Sequence, residues 1–229
     1  MIGRFLNVAL IACVLLSSQA FAEPISITSY DITNARLSGT GNWHHTYNGS
    51  IQATGQGDNL YNYTGGSGTL NDGIIGTGLD NTQLFVNSDN SAITLYLGKS
   101  AVIDTLELFS FMSGNAIPGA LSSLNVTINS ITVNLATIGF GDEHWLNDFI
   151  NDRISLSGTA LEGLITDTII LSGFSTLSPH TAMTAISEIK VYGTEVEDSA
   201  LISEPEGLIL LAIGLIGLGL IRRRKLNIR

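Results

Sequence analysis

Short runs of β-branched and other apolar residues, separated by Gly, Asn, Asp and Ser, recur along the chain between residues 23 and 200. The clearest pattern lies in LNVTIN (124–129) and ITVNL (131–135), where apolar and polar residues alternate. Alternation with a period of two places the apolar side chains on one face of a strand. The intervening residues Asn129 and Ser130 therefore predict a tight hairpin between two strands.

The same reading extends over most of the chain and finds no helical periodicity of useful length between residues 23 and 200. It predicts strands over the ranges 25–32, 92–97, 102–111, 123–128, 131–138, 154–156, 164–173 and 185–192. Short strands with frequent turn residues and no intervening helices are typical of antiparallel sandwiches. We therefore predict an all-β fold made of two packed sheets.

The N-terminal segment has the pattern of a secretion signal. Arg4 is followed by an apolar run over 5–16 and by the small-residue sequence AFA (20–22). These are the three parts of a cleavable signal peptide, which we place at residues 1–22. A loose lipoprotein box ending at Cys13 is the alternative, although cleavage there would leave a short apolar core. Both readings predict export.

The C-terminal segment carries an uncharged apolar run over 208–221, followed at once by RRRK (222–225). A helix of this length spans about 21 Å, against about 30 Å for the hydrocarbon core of a bilayer. Basic residues next to such a run favour the cytoplasmic side. We expect a short transmembrane helix over 208–221 and a basic cytoplasmic tail over 222–229.

With the segment before it, this terminus resembles the PEP-CTERM sorting signal of exported bacterial proteins. The residues that match are a Pro-Glu motif in the linker 198–207 and the basic cluster, namely Pro205, Glu206, Arg222, Arg223 and Arg224; Gly207 stands where the family usually has a second proline. The resemblance implies an exosortase-type processing enzyme as partner. It also implies transient insertion in the inner membrane, followed by release to the cell surface or the extracellular space.

Composition limits what the chain between the two signals can do. Residues 23–204 hold four Lys/Arg and 19 Asp/Glu, a net charge of −15, and the chain's single cysteine is Cys13. Nucleic acid is therefore not expected as a partner, because phosphate binding needs a basic surface. Neither a disulfide nor a thiol nucleophile is expected in the mature protein. By size, residues 23–197 form one domain.

Within this domain, three segments resemble the galactose-binding-like jelly roll of the discoidin or coagulation factor 5/8 C-type modules. They are LNDG (70–73), ITLYLGK (93–99) and AISEIKVYG (185–193), in this order and spacing. The resemblance implies a jelly-roll sandwich with a possible structural calcium ion. Its ligands would be Asp72, Thr77 and Glu188, with carbonyl oxygens completing the coordination. The alternative is that Asp72 caps a turn and Glu188 faces solvent.

Aromatic residues supply the candidate ligand surface. Trp43, His45, Tyr47, Tyr61 and Trp145 could stack against the C–H faces of a sugar, while nearby asparagines bind its hydroxyl groups. Packing in the core, with the polar tips satisfied, is the alternative for each of them. The adjacent His44 and His45 would face opposite sides of a strand, which disfavours a shared metal.

No nucleophile elbow, phosphate-binding loop or dinucleotide fingerprint occurs in the sequence. The acidic cluster with Asp142, Glu143, Asp148 and Asp152 is the place that resembles an acid/base group, and it reads as an exposed loop. We therefore expect no enzyme activity. The function we predict is non-catalytic binding to, or a structural role in, extracellular polysaccharide or biofilm matrix. A secreted glycan-active hydrolase and a matrix protein without a ligand are the alternatives.

Overall fold

The computed structural model of the 229-residue chain describes residues 22–38, 43–55, 59–76, 80–112, 118–137, 148–176 and 182–197. The chain divides into two compact units, Met1–Val196 and Glu197–Arg229. The strands and cavities described below belong to the first unit. The predicted signal peptide, apolar helix and basic tail lie outside the described residues, except that the signal's last residue, Ala22, falls within them. Among the described residues, no helix is both long enough and apolar enough to cross a bilayer.

Eleven antiparallel strands and two short 3-10 helices make up the described unit, so the predicted all-β class is confirmed. The strands are β1 (Glu23–Ile25), β2 (Ile27–Arg36), β3 (Ser50–Ala53), β4 (Leu60–Gly66), β5 (Gln83–Val86), β6 (Ala92–Met112), β7 (Leu121–Ile128), β8 (Ile131–Ala136), β9 (Asp148–Ser155), β10 (Ile165–Thr176) and β11 (Met183–Glu195). The 3-10 helices are Thr69–Asn71 and Asn87–Asp89.

The strands form two layers that share β6. The first layer has the order β3-β4-β2-β6-β10-β7-β8. In the second layer, the later half of β6 lies between β9 and β11, and β11 also pairs with β1 and β5. This antiparallel two-layer arrangement is the one expected of a jelly-roll sandwich.

One long strand, β6, replaces the two strands predicted over 92–97 and 102–111. Its first half pairs with β2 and β10, and its second half pairs with β11 and β9. The change of partner occurs at Gly98–Ser100, where the pairing with β10 skips from Tyr96 to Ala101. The sequence predicts two strands on either side of GKS (98–100), whereas these residues continue one strand across the point where its pairing partners change.

One apolar core joins the two layers. Alternate side chains of β6, including Ile93, Leu95, Leu106 and Leu108, are fully buried, as are their neighbours on β7, β10 and β11. Across the layers, the ring centroids of Phe85 and Phe174 lie 4.9 Å apart. Burial of this apolar surface is the main stabilising contribution expected for the unit.

The hairpin between β7 and β8 is confirmed. Ile128 pairs with Ile131, and Asn129 and Ser130 both have positive φ, at 49° and 67°. Two central residues of this conformation define a type I′ turn, whose twist matches that of the flanking strands.

Candidate functional site

The segment 43–47, which ends at an isolated bridge between Tyr47 and Gly68, separates the predicted aromatic residues. His44 is exposed and His45 is buried, so the two rings lie in different surroundings. Trp43 packs against a second, small apolar cluster formed by Leu84, Phe111 and Ala185. Tyr47 and Tyr61 instead pack against the main core. Trp43 and Tyr47 therefore belong to different clusters, and Trp145 lies outside the described residues.

His45 lies inside a cluster of aromatic rings. Its ring centroid is 5.1 Å from that of Tyr63 and 6.0 Å from those of Tyr30 and Tyr47. Nε2 lies 3.0 Å from the Tyr30 hydroxyl, and the residue is 7% exposed. Burial lowers the pKa of His45 to about 3, so the ring is neutral at physiological pH. In this structure His45 contributes packing and not a ligand-facing surface.

Tyr47 occupies the border between this cluster and the surface. Its hydroxyl donates to the Tyr30 carbonyl oxygen at 2.7 Å and accepts from the Gly66 N–H at 2.8 Å. Burial raises the pKa of Tyr47 to about 12, so the hydroxyl stays protonated. These two bonds fix the ring, which forms part of the wall of a surface cavity.

This Tyr47 cavity has a volume of about 400 Å³ and a lining of hydroxyl, amide, carboxylate and backbone groups. The residues that contribute side chains are Thr28, Thr46, Tyr47, Asn48, Ser67, Asn71 and Asp72. The volume lies within the range of about 300–1,000 Å³ that is usual for small-molecule sites. The shape therefore permits a small polar ligand.

Hydrogen bonds hold the rim of the Tyr47 cavity in place. Asn48 accepts from the Ser67 N–H at 2.7 Å, and its Nδ2 donates to the Ser67 hydroxyl at 3.0 Å. Asn71 accepts from the Gly68 N–H and donates to the Ile27 carbonyl oxygen. A cavity with its polar groups fixed beforehand loses less conformational entropy when a ligand binds.

Two of the three predicted calcium ligands line one adjoining cavity of about 300 Å³, which shares Asn71 and Asp72 with the Tyr47 cavity. Glu188, on β11, is 4% exposed and accepts from the Gly73 N–H at 3.1 Å. Burial, and then the nearby Asp72 carboxylate, raise the pKa of Glu188 to about 7. Glu188 is thus buried and does not face solvent, contrary to one part of the alternative. The other part agrees with the structure, because Asp72 Oδ1 accepts from the Ile74 N–H at 2.8 Å and caps the turn. Thr77 lies outside the described residues.

This carboxylate pair has the oxygen chemistry that a hard cation such as calcium requires. Two neighbouring carboxylates that are partly buried repel each other, which raises the free energy of the folded state. A bound cation would offset this repulsion. The described residues contain no group of three or more His, Cys, Asp or Glu side chains that could hold a metal. Calcium would therefore need carbonyl or hydroxyl oxygens as further ligands. The residues fit the ion on these terms.

One member of the predicted acid/base cluster is buried on a strand, contrary to the exposed loop that the sequence predicts for it. Asp152, on β9, is 1% exposed, and its Oδ2 accepts a hydrogen bond from the Ser110 hydroxyl. Its Oδ1 is buried and has no hydrogen-bond partner among the described residues. Burial raises the pKa of Asp152 to about 8. The sequence predicts a strand over 154–156 alone and a polar loop before it, whereas Asp152 lies on a strand that begins at Asp148, which buries its carboxyl group.

The remaining predicted site residues lie outside the described parts of the chain. They are the acidic pair Asp142 and Glu143 and the sorting residues Pro205, Glu206, Arg222, Arg223 and Arg224. Their roles stay predictions.

No protein-family model and no curated protein matches this chain. Among solved structures, it is similar to the family 32 carbohydrate-binding module of C. perfringens NanJ in complex with galactose, at 13% identity and a TM-score of 0.36, over 70% of this chain and 98% of that one. It is similar to the C-terminal domain of a chitobiase from Bacteroides fragilis, at 16% identity and a TM-score of 0.38, over 76% and 99%. A third match is the GH31 CBM32-2 module bound to GalNAc, at 17% identity and a TM-score of 0.35, over 66% and 98%.

Proposed function

We propose that this protein is exported and binds extracellular polysaccharide without catalysing a reaction. The observation that carries the proposal is the Tyr47 cavity, which presents a tyrosine ring beside fixed hydroxyl and amide groups. Sugars expose C–H faces and hydroxyl groups, so an aromatic wall with polar groups beside it matches their chemistry. With a net charge of −15 over residues 23–204, the domain favours uncharged glycans over anionic ones.

Calcium has a structural role in this proposal. Asp72 and Glu188 would hold the ion, which joins the turn after the first 3-10 helix to β11. When bound, calcium neutralises the two carboxylates. Because Asp72 and Asn71 also line the Tyr47 cavity, the ion would stiffen one side of the saccharide site.

The route to the cell exterior follows from the two terminal signals. The signal peptide directs export, and the PEP-CTERM-like tail inserts in the inner membrane until an exosortase-type enzyme removes it. The mature domain would then act at the cell surface or in the extracellular matrix. This part of the proposal rests on the sequence resemblance.

A hydrolase is the second candidate, because Asp72 and Glu188 form a carboxylate pair in which one pKa is raised. Glycosidases divide the acid and base roles in this way. We favour the calcium role, since Glu188 is 4% exposed and is engaged by the Gly73 N–H. Release of reducing sugar from a polysaccharide, abolished in Glu188→Gln, would establish the enzyme instead.

The binding proposal is tested by retention of the full chain on immobilised neutral polysaccharides, in a zwitterionic detergent without a sugar headgroup. Asn48→Ala removes an amide from the Tyr47 cavity and should weaken retention about tenfold, or about 1.4 kcal/mol. Gln52→Ala, an exposed amide change on β3, is the matched control and should leave retention unchanged. Equal retention of both variants would remove the Tyr47 cavity from the proposal.

A further inference from the structure

A second polar cleft lies away from the Tyr47 cavity and shares no residue with it. It has a volume of about 290 Å³ and is the more enclosed of the two. The end of β5 and the second 3-10 helix form one wall, and β7 and β10 form the other. Its lining includes Asn87, Asn90, Asn125, Ser172, Gly173 and Phe174. We call it the Gly173 cleft.

A β-bulge in β10 shapes this cleft. The pairing of β10 with β7 is in register up to Ser172 and Asn125 and resumes, shifted, at Ser175. Gly173 lies in the bulge with φ of 59°, and a Cβ there would come within 2.6 Å of Asn125 Nδ2. Bulges often occur next to functional sites, where they redirect a side chain. Here the glycine leaves room for the Asn125 amide.

The polar groups of the Gly173 cleft have hydrogen-bonding capacity to spare. Asn125 Oδ1 accepts from Asn134 Nδ2 at 2.9 Å, which fixes the amide and leaves its Nδ2 as a donor. Within the described parts of the chain, no hydrogen-bond partner is found for Asn125 Nδ2. The same holds for the side chains of Asn87, Asn90 and Ser172. Amide groups both donate and accept, as sugar hydroxyl groups require. This contrasts with the Tyr47 cavity, whose amides are already paired.

The floor of the cleft is apolar. Phe174 is 4% exposed and packs against Phe85 of the other layer, and Val86 lies beside them. The floor is therefore rigid, because the two rings are held by the core. An apolar floor with amide and hydroxyl groups above it is the usual construction of a small-ligand site.

Charge defines which ligand fits. No charged side chain is among the described residues that line the cleft. The nearest acid along the chain, Asp89, forms an ion pair with Arg36 at 2.8 Å. A carboxylated or phosphorylated ligand would find no cation in the lining to offset its charge, whereas an uncharged polyhydroxyl ligand would find matching donors and acceptors.

We propose that the Gly173 cleft is a second saccharide site, which binds an uncharged sugar unit through Asn125, Asn87, Asn90 and Ser172. The inference builds on the proposed glycan-binding function and adds a separate place of binding. The Tyr47 cavity includes Thr28, near the start of β2, whereas the Gly173 cleft includes Ser91, whose hydroxyl donates to the Asn34 carbonyl oxygen near the end of β2. At about 3.3 Å per residue for a fully extended strand, these two points of β2 lie at most about 20 Å apart, because the positive φ of Asn34 shortens the strand.

Two sites at this separation allow one protein to hold two glycan segments. Bivalent binding raises apparent affinity for a polymer without new contacts, and it cross-links chains that occupy different sites. The Gly173 cleft would thus convert a binding module into a cross-linker of a polysaccharide matrix.

Isothermal titration of the full chain in a zwitterionic detergent tests this inference. The probes are uncharged gluco-, galacto- and N-acetylglucosamine oligosaccharides, with an oligouronate as the anionic control. For an oligosaccharide that binds, we expect two sites per chain. Asn125→Leu should remove one of them, weakening it by about tenfold or more. Asn48→Ala should weaken the other site and leave the Gly173 cleft intact.

Asn134→Leu is the matched control for the Asn125 change. It removes the same Asn125–Asn134 hydrogen bond but lies outside the cleft lining, so its effect on affinity should stay below about threefold. Shifts of the Asn125 side-chain amide signals in an NMR titration provide a second readout that does not need a variant.

The outcomes separate the two proposals. One site that Asn48→Ala abolishes and Asn125→Leu spares would overturn the Gly173 cleft and leave the proposed function standing. One site with the reverse response would support the Gly173 cleft and remove the Tyr47 cavity. Oligouronate binding equal to that of neutral sugars would overturn the ligand class. No binding of any probe would overturn both proposals.

Discussion

Asp152 places a carboxyl group in the interior, where its protonation state depends on pH. Burial raises its pKa to about 8, whereas the unfolded chain has an ordinary aspartate near 3.9. Between these values the folded state retains a proton that the unfolded state has lost. The free energy of unfolding should therefore fall as pH rises through this window, by about 1.4 kcal/mol for each pKa unit at most.

Asp152→Asn should remove this dependence, because asparagine keeps the shape and carries no charge. Relative to the parent protein, we expect the variant to be several kcal/mol more stable at about pH 9 and of similar stability at about pH 5. Urea unfolding at both pH values, with calcium present throughout, measures the difference. An equal pH dependence in the two proteins would show that Asp152 is not protonated in the folded state.

In the proposed calcium site, Glu188 would link the stability of the fold to calcium. Its pKa is raised to about 7, so without a cation the folded state loses stability as pH rises from about 4 to 7. Calcium at about 100 times its dissociation constant should add about 2.7 kcal/mol. The rise in melting temperature should be larger at about pH 8 than at about pH 5.5, since the carboxylates must be ionised to bind.

Glu188→Gln is the control, because the amide keeps the acceptor for the Gly73 N–H and removes the charge. Calcium should no longer shift its melting temperature. A shift as large as that of the parent protein would locate the calcium ligands elsewhere.

For single residues, the sequence indicated which side chains could form a site better than it indicated whether each of them is buried or exposed. The pairing of Asp72 with Glu188 came from a family resemblance, and the structure brings these two residues to one cavity. The aromatic pattern could not distinguish His45, which is buried, from Tyr47, which borders a cavity. Nor could alternation identify the Gly173 cleft, because its asparagines and Ser172 come from three segments that only the fold brings together.

At the scale of elements, the sequence predicted strands well where one face is buried. β7 and β8 alternate cleanly, and their hairpin has the predicted turn. β3 is exposed on all four residues and β5 is buried on all four, so neither alternates and both escaped prediction. The sequence predicts two strands where the structure has the single strand β6, because the polar segment 98–100 has the composition of a loop.

A substitution at Gly193 tests how closely the backbones of β6 and β11 approach each other. It lies at a register shift in their pairing, and a Cβ there would come within 2.1 Å of the Val102 carbonyl oxygen. Gly193→Ala must displace backbone and should lower the free energy of unfolding by about 1–3 kcal/mol. Gly98→Ala is the matched control, because its Cβ would meet the Thr28 side chain at 3.3 Å and the Ser26 carbonyl oxygen at 4.0 Å, with no backbone atom closer.

Urea denaturation of these two variants gives the comparison. We expect the cost of Gly98→Ala to be below about 1 kcal/mol. Equal costs for the two variants would show that the close approach of β6 and β11 at Gly193 is not present in solution.

At the scale of the whole molecule, delivery and binding are separate properties. The basic residues 222–225 should be needed for delivery alone, because they fix the orientation of the apolar run in the membrane. Replacing all four with neutral residues should reduce the protein found at the cell surface. Binding of the purified protein to glycan should not change. Unchanged surface delivery, measured by antibody labelling of intact cells, would contradict the sorting prediction.

Charge and sheet architecture act together at this scale. A net charge of −15 over residues 23–204 keeps copies of the domain apart by mutual repulsion and disfavours anionic polymers. The two-layer sandwich holds the Tyr47 cavity and the Gly173 cleft on a rigid core. These properties suit a protein that is dispersed through a neutral polysaccharide matrix and holds its chains together.

A glycan array probed with the full chain, with and without a calcium chelator, tests whether the protein recognises glycans. We expect binding to a defined set of uncharged glycans, and weaker binding once the chelator removes the proposed calcium ion. Failure of a folded protein to bind any glycan on the array would contradict glycan recognition and would favour a structural matrix protein that has no ligand.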